Sequence, residues 1–202
     1  MIAVAPRYVR FVQDYVDIEV AGGYADREEI IEDAVELAMD EALDAGERLG
    51  GEAIRSIAAE LVDRALSAHA ERQASWPAVT DCDRLTAAFT ELERSGIVAR
   101  ENFSCCTTCG VHEIGEEVER LDGVARGYTF FHEQDTEGAA EAGHPVFLSY
   151  GATRAGGGDP LAVGHEVVAT LRRHGLDPHW NGDLARKIEV PLDWKRRRTV
   201  PA

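Results

Sequence analysis

Three of the chain's four cysteines fall within "NFSCCTTCGVHEIGEE", Asn102 to Glu117. Cys106 and Cys109 have the C-x-x-C spacing that lets a tight turn aim two sulfurs at one ion. Cys105 is a third candidate ligand, although adjacent side chains on an extended strand point to opposite faces. His112 and His132 are candidates for a fourth ligand. A sulfur-rich set of this kind suits zinc, and Asp135 could orient a ligating imidazole. The same thiols admit two other readings. A helix N-terminus lowers a thiol's pKa, which suits thiol–disulfide exchange. Small thiols at a strand–helix junction can also simply pack. A single C-x-x-C without a second pair leaves the three readings open.

The order strand, C-x-x-C, helix is the local arrangement of a thioredoxin-like motif. Pro145 stands just before a strand, and the thioredoxin family places a proline opposite its dithiol. The sequence departs from that pattern in having no Trp-Cys-Gly-Pro-Cys and no clear hairpin after "FLSYG".

The elements that must position these residues are legible in part. In "DREEIIEDAVELAMDEALDAGERLG", Asp26 is an N-cap, and Glu28 and Glu29 sit in a first turn whose dipole favours acids. Ile30, Ala34, Ala38 and Ala42 make one apolar stripe, and Ile31, Val35, Met39 and Leu43 its neighbour. Gly50-Gly51 breaks the helix, a second one follows with Ile54, Ala58, Leu61, Val62 and Ala65 inward, and "SWPAV" ends it. The rhythm then changes. "DCDRLTAAFTELERSG" is a short helix, "IVARENF" a strand, "GVHEIGEEVERLDG" a helix and "GYTFFHE" a strand. "DTEGAAEAG" is a short helix, "PVFLSYG" a strand, "TRAGGGD" a loop and "DPLAVGHEVVATLRRHG" a helix. "DPHWNGD" and "KIEV" read as a closing strand pair around Asn181-Gly182.

Strands alternating with helices imply βαβ units and a largely parallel sheet. The carboxyl ends of consecutive parallel strands share one edge, and ligand sites favour that edge. The cysteines follow one strand, and His132, Glu133, Gln134 and Asp135 follow the next. Ser149 and Tyr150 close the third, so all are expected to converge. His112 is expected in the first turn of the intervening helix.

Composition bounds the alternatives. The 202 residues are 45% hydrophobic and 29% charged, which supports a packed core rather than disorder. The formal net charge is -16, and residues 1–80 carry 17 acids against 7 bases. That argues against a nucleic-acid partner, because phosphate affinity is mostly cationic neutralisation. The end of "LTAAFTELERSGIVAR" has the look of a winged-helix module, but no basic recognition helix accompanies it. The one basic run, Lys195 to Arg198, reads as a solvated tail. "RAGGGD" lacks the strand–G-x-G-x-x-G–helix order and the P-loop lysine, so no nucleotide cofactor is expected. Nothing in the N-terminal stretch reads as a signal peptide, and no run is apolar enough to span a bilayer, so a cytoplasmic setting is expected.

"FSCCTTCG" (Phe103 to Gly110), "GYTFFHEQDT" (Gly127 to Thr136), "VFLSYG" and "LRRHGLDPHWNG" leading into "IEVPLDWKRR" together resemble an uncharacterised bacterial domain-of-unknown-function family. Its marks are an FxCCxTCG segment and an FFHxQDT segment. The resemblance implies that the two segments belong together. It brings no catalytic residues with it.

The expectation is therefore an α+β protein. A helical N-terminal pair, residues 1–80, packs on an α/β domain, residues 81–202, with a mixed, partly parallel sheet of about five strands. The functional edge carries Cys105, Cys106, Cys109, His112, His132, Gln134 and Asp135. The leading reading is an intracellular zinc-binding domain acting as a binding or structural module, its partner an unidentified small molecule or protein. The competing readings are a thiol–disulfide redox enzyme and a metal-free interaction domain with core thiols.

Overall fold

Among the residues described by the computed structural model, which are 4–121, 124–153 and 157–198, the chain forms seven helices and four strands. They fall into two compact units. One is Met1–Trp76 with Arg196–Ala202, and the other is Pro77–Lys195.

The first unit is three helices, α1 (Pro6–Gly22), α2 (Arg27–Asp44) and α3 (Gly51–Gln73). Pro6 fits the first turn, where a missing N–H costs nothing. Tyr8, Val12, Val16 and Val20 recur every fourth residue and are buried, and Gly23 at φ 84° ends α1. Asp26 caps α2 as a capping box: it accepts the N–H of Glu28 and Glu29, and Glu29 accepts the N–H of Asp26. Ile30, Ile31, Ala34 and Ala38 meet Ile54, Ala58, Leu61 and Val62 of α3 and the valines of α1 in one core. The helices pack together as expected, but they are three, and α1 touches both of the others. The second stripe of α2 fades towards solvent, with Met39 and Leu43 exposed.

Arg196 to Arg198 are not a solvated tail. The Arg198 guanidinium donates to the carbonyls of Glu19 (2.7 Å), Val20 (2.8 Å) and Ala25 (2.8 Å). Those include carbonyls that the end of α1 leaves without helical partners. Arg196 lies over the Tyr24 ring at 3.7 Å, and its carbonyl meets His69 Nε2 at 3.1 Å.

The second unit runs α4 (Asp81–Arg94), β1 (Ile97–Arg100), α5 (Thr107–Arg120), β2 (Gly127–Phe130), α6 (Glu133–Ala142), β3 (Val146–Ala152), α7 (Pro160–Arg173) and β4 (Ile188–Val190). The sheet is mixed, in the order β1-β2-β3-β4. Only β1 and β2 are parallel, with Ile97 opposite Gly127 and Arg100 opposite Phe130. β3 runs antiparallel to both β2 and β4. There are four strands rather than about five, because "DPHWNGD" contributes an isolated bridge, His179 to Glu189, and no strand. The expected "TRAGGGD" loop lies partly outside the described residues. α4 and α7 pack on each other and on the sheet, α5 packs on β2, and α6 on β3.

β3 is reversed, which corrects the expectation that Ser149 and Tyr150 close a third carboxyl end at this edge: β3 ends at Ala152, opposite Gly127 at the far end of β2. Ser149 is nonetheless level with Phe130, the last residue of β2, and Tyr150 with Thr129. No helix among the described residues is long and apolar enough to cross a membrane.

Candidate metal centre

The cysteines sit where parallel β1 and β2 end side by side. The loop leaving β1 is cross-linked to the residues leaving β2. Phe103 N–H donates to the Phe131 carbonyl (2.8 Å), and Glu133 N–H to the Ser104 carbonyl (3.1 Å). Thr136 Oγ1 and Asn102 Oδ1 are 2.6 Å apart. Asn102 (φ 49°) and Ser104 (φ 64°) are held in the left-handed region, which non-glycine residues adopt only where surroundings dictate it. The loop after β1 and the residues after β2 therefore lie side by side.

α5 begins three residues earlier than its apolar periodicity indicates. Cys106, in extended backbone, is its N-cap, and Cys109 lies in its first turn. Gly110 explains how α5 comes so close to the sheet: a Cβ there would lie 2.5 Å from Phe130 Cε2. Ile114 buries the next turn against Val98, Ala125 and Phe130. At the other end, Arg100 of β1 donates through Nε to both carboxylate oxygens of Glu117 (3.1 and 3.2 Å). It also pairs with Glu93.

This scaffold brings Cys105, Cys106 and Cys109 together, with their sulfurs all within 4.8 Å of one another. Cys105 and Cys109 are exposed and Cys106 is half-buried, so they do not fill a core position. The amides of Cys109 and Thr108 at the helix start, helped by the neighbouring thiols, hold Cys106 below the ordinary thiol value. Cys109 is pushed up to about 11 by hydrogen bonding to Cys105 and Cys106. Tetrahedral zinc with sulfurs at about 2.3 Å would separate them by about 3.8 Å.

Among the described residues no histidine, aspartate or glutamate joins the three sulfurs. His112 lies beyond the first turn of α5, is highly exposed, and has Nδ1 3.8 Å from Glu116. His132 is the N-cap of α6: its Nδ1 accepts the N–H of Asp135 (3.3 Å), and Asp135 Oδ2 accepts the N–H of His132 (3.2 Å). The other Asp135 oxygen accepts the N–H of Phe147 (3.3 Å). Both side chains are buried. Burial pushes Asp135 up and His132 down, each partly offset by the other's charge. Gln134 is exposed on the first turn of α6. Cys82 stays apart from the cluster, buried, with its sulfur 3.3 Å from the Lys195 N–H.

Sequence reasoning missed Lys187. Its Nζ donates to Thr107 Oγ1 (2.8 Å), beside Cys106, and its charge acts on both His132 and Asp135. The available signal was compositional, since Lys187 and Lys195 are the chain's only lysines.

A family model described as "Domain of unknown function (DUF6891)" matches residues 6–198. No curated protein and no solved structure matches the chain.

Proposed function

We propose, for a chain that belongs to the DUF6891 domain-of-unknown-function family, that it is a metal-binding module in which Cys105, Cys106 and Cys109 hold one thiophilic cation, zinc in the first instance. The observation that carries this reading is the approach of three sulfurs within 4.8 Å at a helix N-terminus. Three thiolates on one zinc leave a net charge of about -1, which the amides of α5 and the Lys187 ammonium offset. Three protein ligands leave a fourth position. It would pass to water or to an outside ligand, with His112 and His132 as the candidates from within the chain. Cation loading must displace the thiol protons, so affinity rises with pH. The test is metal content and proton release on zinc addition, in the wild type and in His112→Ala and His132→Ala. Binding of one equivalent with protons released supports the reading. An unchanged zinc affinity in both histidine variants assigns the fourth position to an outside ligand.

A second reading rests on the opposite shifts of Cys106 and Cys109. In it, the Cys106 thiolate attacks a substrate disulfide and releases one substrate thiolate. Cys109, losing its proton, then displaces the second, leaving a Cys106–Cys109 disulfide. Reduction of a test disulfide that Cys106→Ser abolishes supports this alternative. No turnover by the reduced, metal-free protein removes it.

A further inference from the structure

We propose that the cleft between β3 and the 179–189 segment binds a small organic anion with a flat apolar body. The cleft measures about 510 Å³ and is lined by Phe147, His179, Trp180, Arg186, Lys187 and Glu189, among others. That volume falls within the range of small-molecule sites.

Two kinds of wall meet there. Trp180 is fixed in advance: its ring meets Tyr150 and His165 edge-on at 5.3 and 5.1 Å, and its indole N–H donates to the Asp183 carbonyl (3.3 Å). Gly164 makes room for it, since a Cβ there would lie 2.8 Å from Trp180 Cη2. Phe147 is partly exposed on the same cleft. These rings offer an apolar surface at little entropic cost.

The second wall is cationic. The side chain of Lys187 has a hydroxyl, Thr107 Oγ1, as its hydrogen-bond partner, and no carboxylate among the described residues lies within ion-pair distance of it. Arg186 likewise forms no ion pair among the described residues. Glu189, the acid of the lining, faces His179 at 3.8 Å, and His179 is also 3.6 Å from Asp177. In a chain of net charge -16, an ammonium and a guanidinium that form no ion pair among the described residues, beside two rings, fit a carboxylate or phosphate on a planar body. The site needs no metal, and Lys187 is the one residue it shares with the cysteine reading.

The test titrates the ¹⁵N-labelled full chain with 2-naphthoate, 2-naphthyl phosphate and the neutral 2-naphthamide, following the amides of Phe147 and residues 179–189. Saturable shifts there are expected for the anions, with the amide weaker by about tenfold or more. Which anion binds tighter distinguishes carboxylate from phosphate. Lys187→Gln with Arg186→Gln should weaken the anions by about tenfold, and Arg64→Gln should change nothing. A Cys105→Ser, Cys106→Ser, Cys109→Ser protein should bind them as well as the wild type, which separates this outcome from the metal reading. Equal binding of the amide, shifts confined elsewhere, indifference to the Lys187 and Arg186 changes, or no binding by either anion would overturn the proposal.

Discussion

Cys106 and Cys109 stand one helical turn apart yet titrate in opposite directions. Cys106 is drawn down by the amides that open α5, and Cys109 is raised to about 11 because its proton is shared towards its neighbours. In metal-free protein, alkylation should therefore begin at Cys106 and be half-maximal below the pH of an ordinary thiol, as mass-mapped modification against pH would show. Uniform modification of all three at one pH would contradict the geometry. His69 gives a second titration. Burial holds its pKa down, and its Nε2 meets the Arg196 carbonyl as only a donor can. A depressed folded value means that the unfolded chain takes the proton first. The contribution of His69 is therefore present above about 6.5 and is lost as pH falls through the lower folded value. His69→Gln keeps a donor and removes the titration. Denaturation at several pH values should show wild-type stability falling faster than the variant's below neutrality.

At the scale of elements, the site depends on how closely α5 approaches β2, and two glycines of one helix separate that from helix propensity. Gly110→Ala places a methyl against Phe130 and should cost about 1–3 kcal/mol by overpacking, weakening zinc binding as the first turn shifts. Gly115→Ala meets nothing within 4 Å and should stabilise by about 1 kcal/mol with unchanged metal affinity. Chemical denaturation and chelator competition read both. The same helix shows what sequence can and cannot convey. Ile114 and Val118 give its periodicity, but its first turn, Thr107 to Gly110, is written in poor helix formers behind a cysteine N-cap, so the pattern reveals the helix only from Gly110 onward. Asp26 was legible because its capping box is a local, side-chain-encoded signal. The direction of β3 was not, since a strand's own residues do not say which neighbour it pairs with. The end of β3 falls at the opposite edge for that reason, with Ala152 opposite Gly127, whereas Cys106 and Asp135 keep their place because β1 and β2 are parallel.

Across the whole molecule, the two units differ in what holds them. The first is a three-helix core closed by Arg198, whose guanidinium serves carbonyls at the end of α1 and beyond. Arg198→Met should cost about 2 kcal/mol because those carbonyls lose a charged donor, measurable by denaturation. Long-range closure of this kind is invisible in "WKRRR", which reads locally as a charged tail. Lys187 is hidden for the same reason, since only the fold carries it to Thr107. The second unit carries the cysteines, and the central claim is that they form one site. Elemental analysis of the full chain, purified without a metal-affinity tag and loaded with zinc, tests it beside Cys105→Ser, Cys106→Ser and Cys109→Ser. About one equivalent of zinc is expected in the wild type, with loss of tight binding in each variant. A wild type that retains no zinc, or zinc that survives all three substitutions, would contradict it.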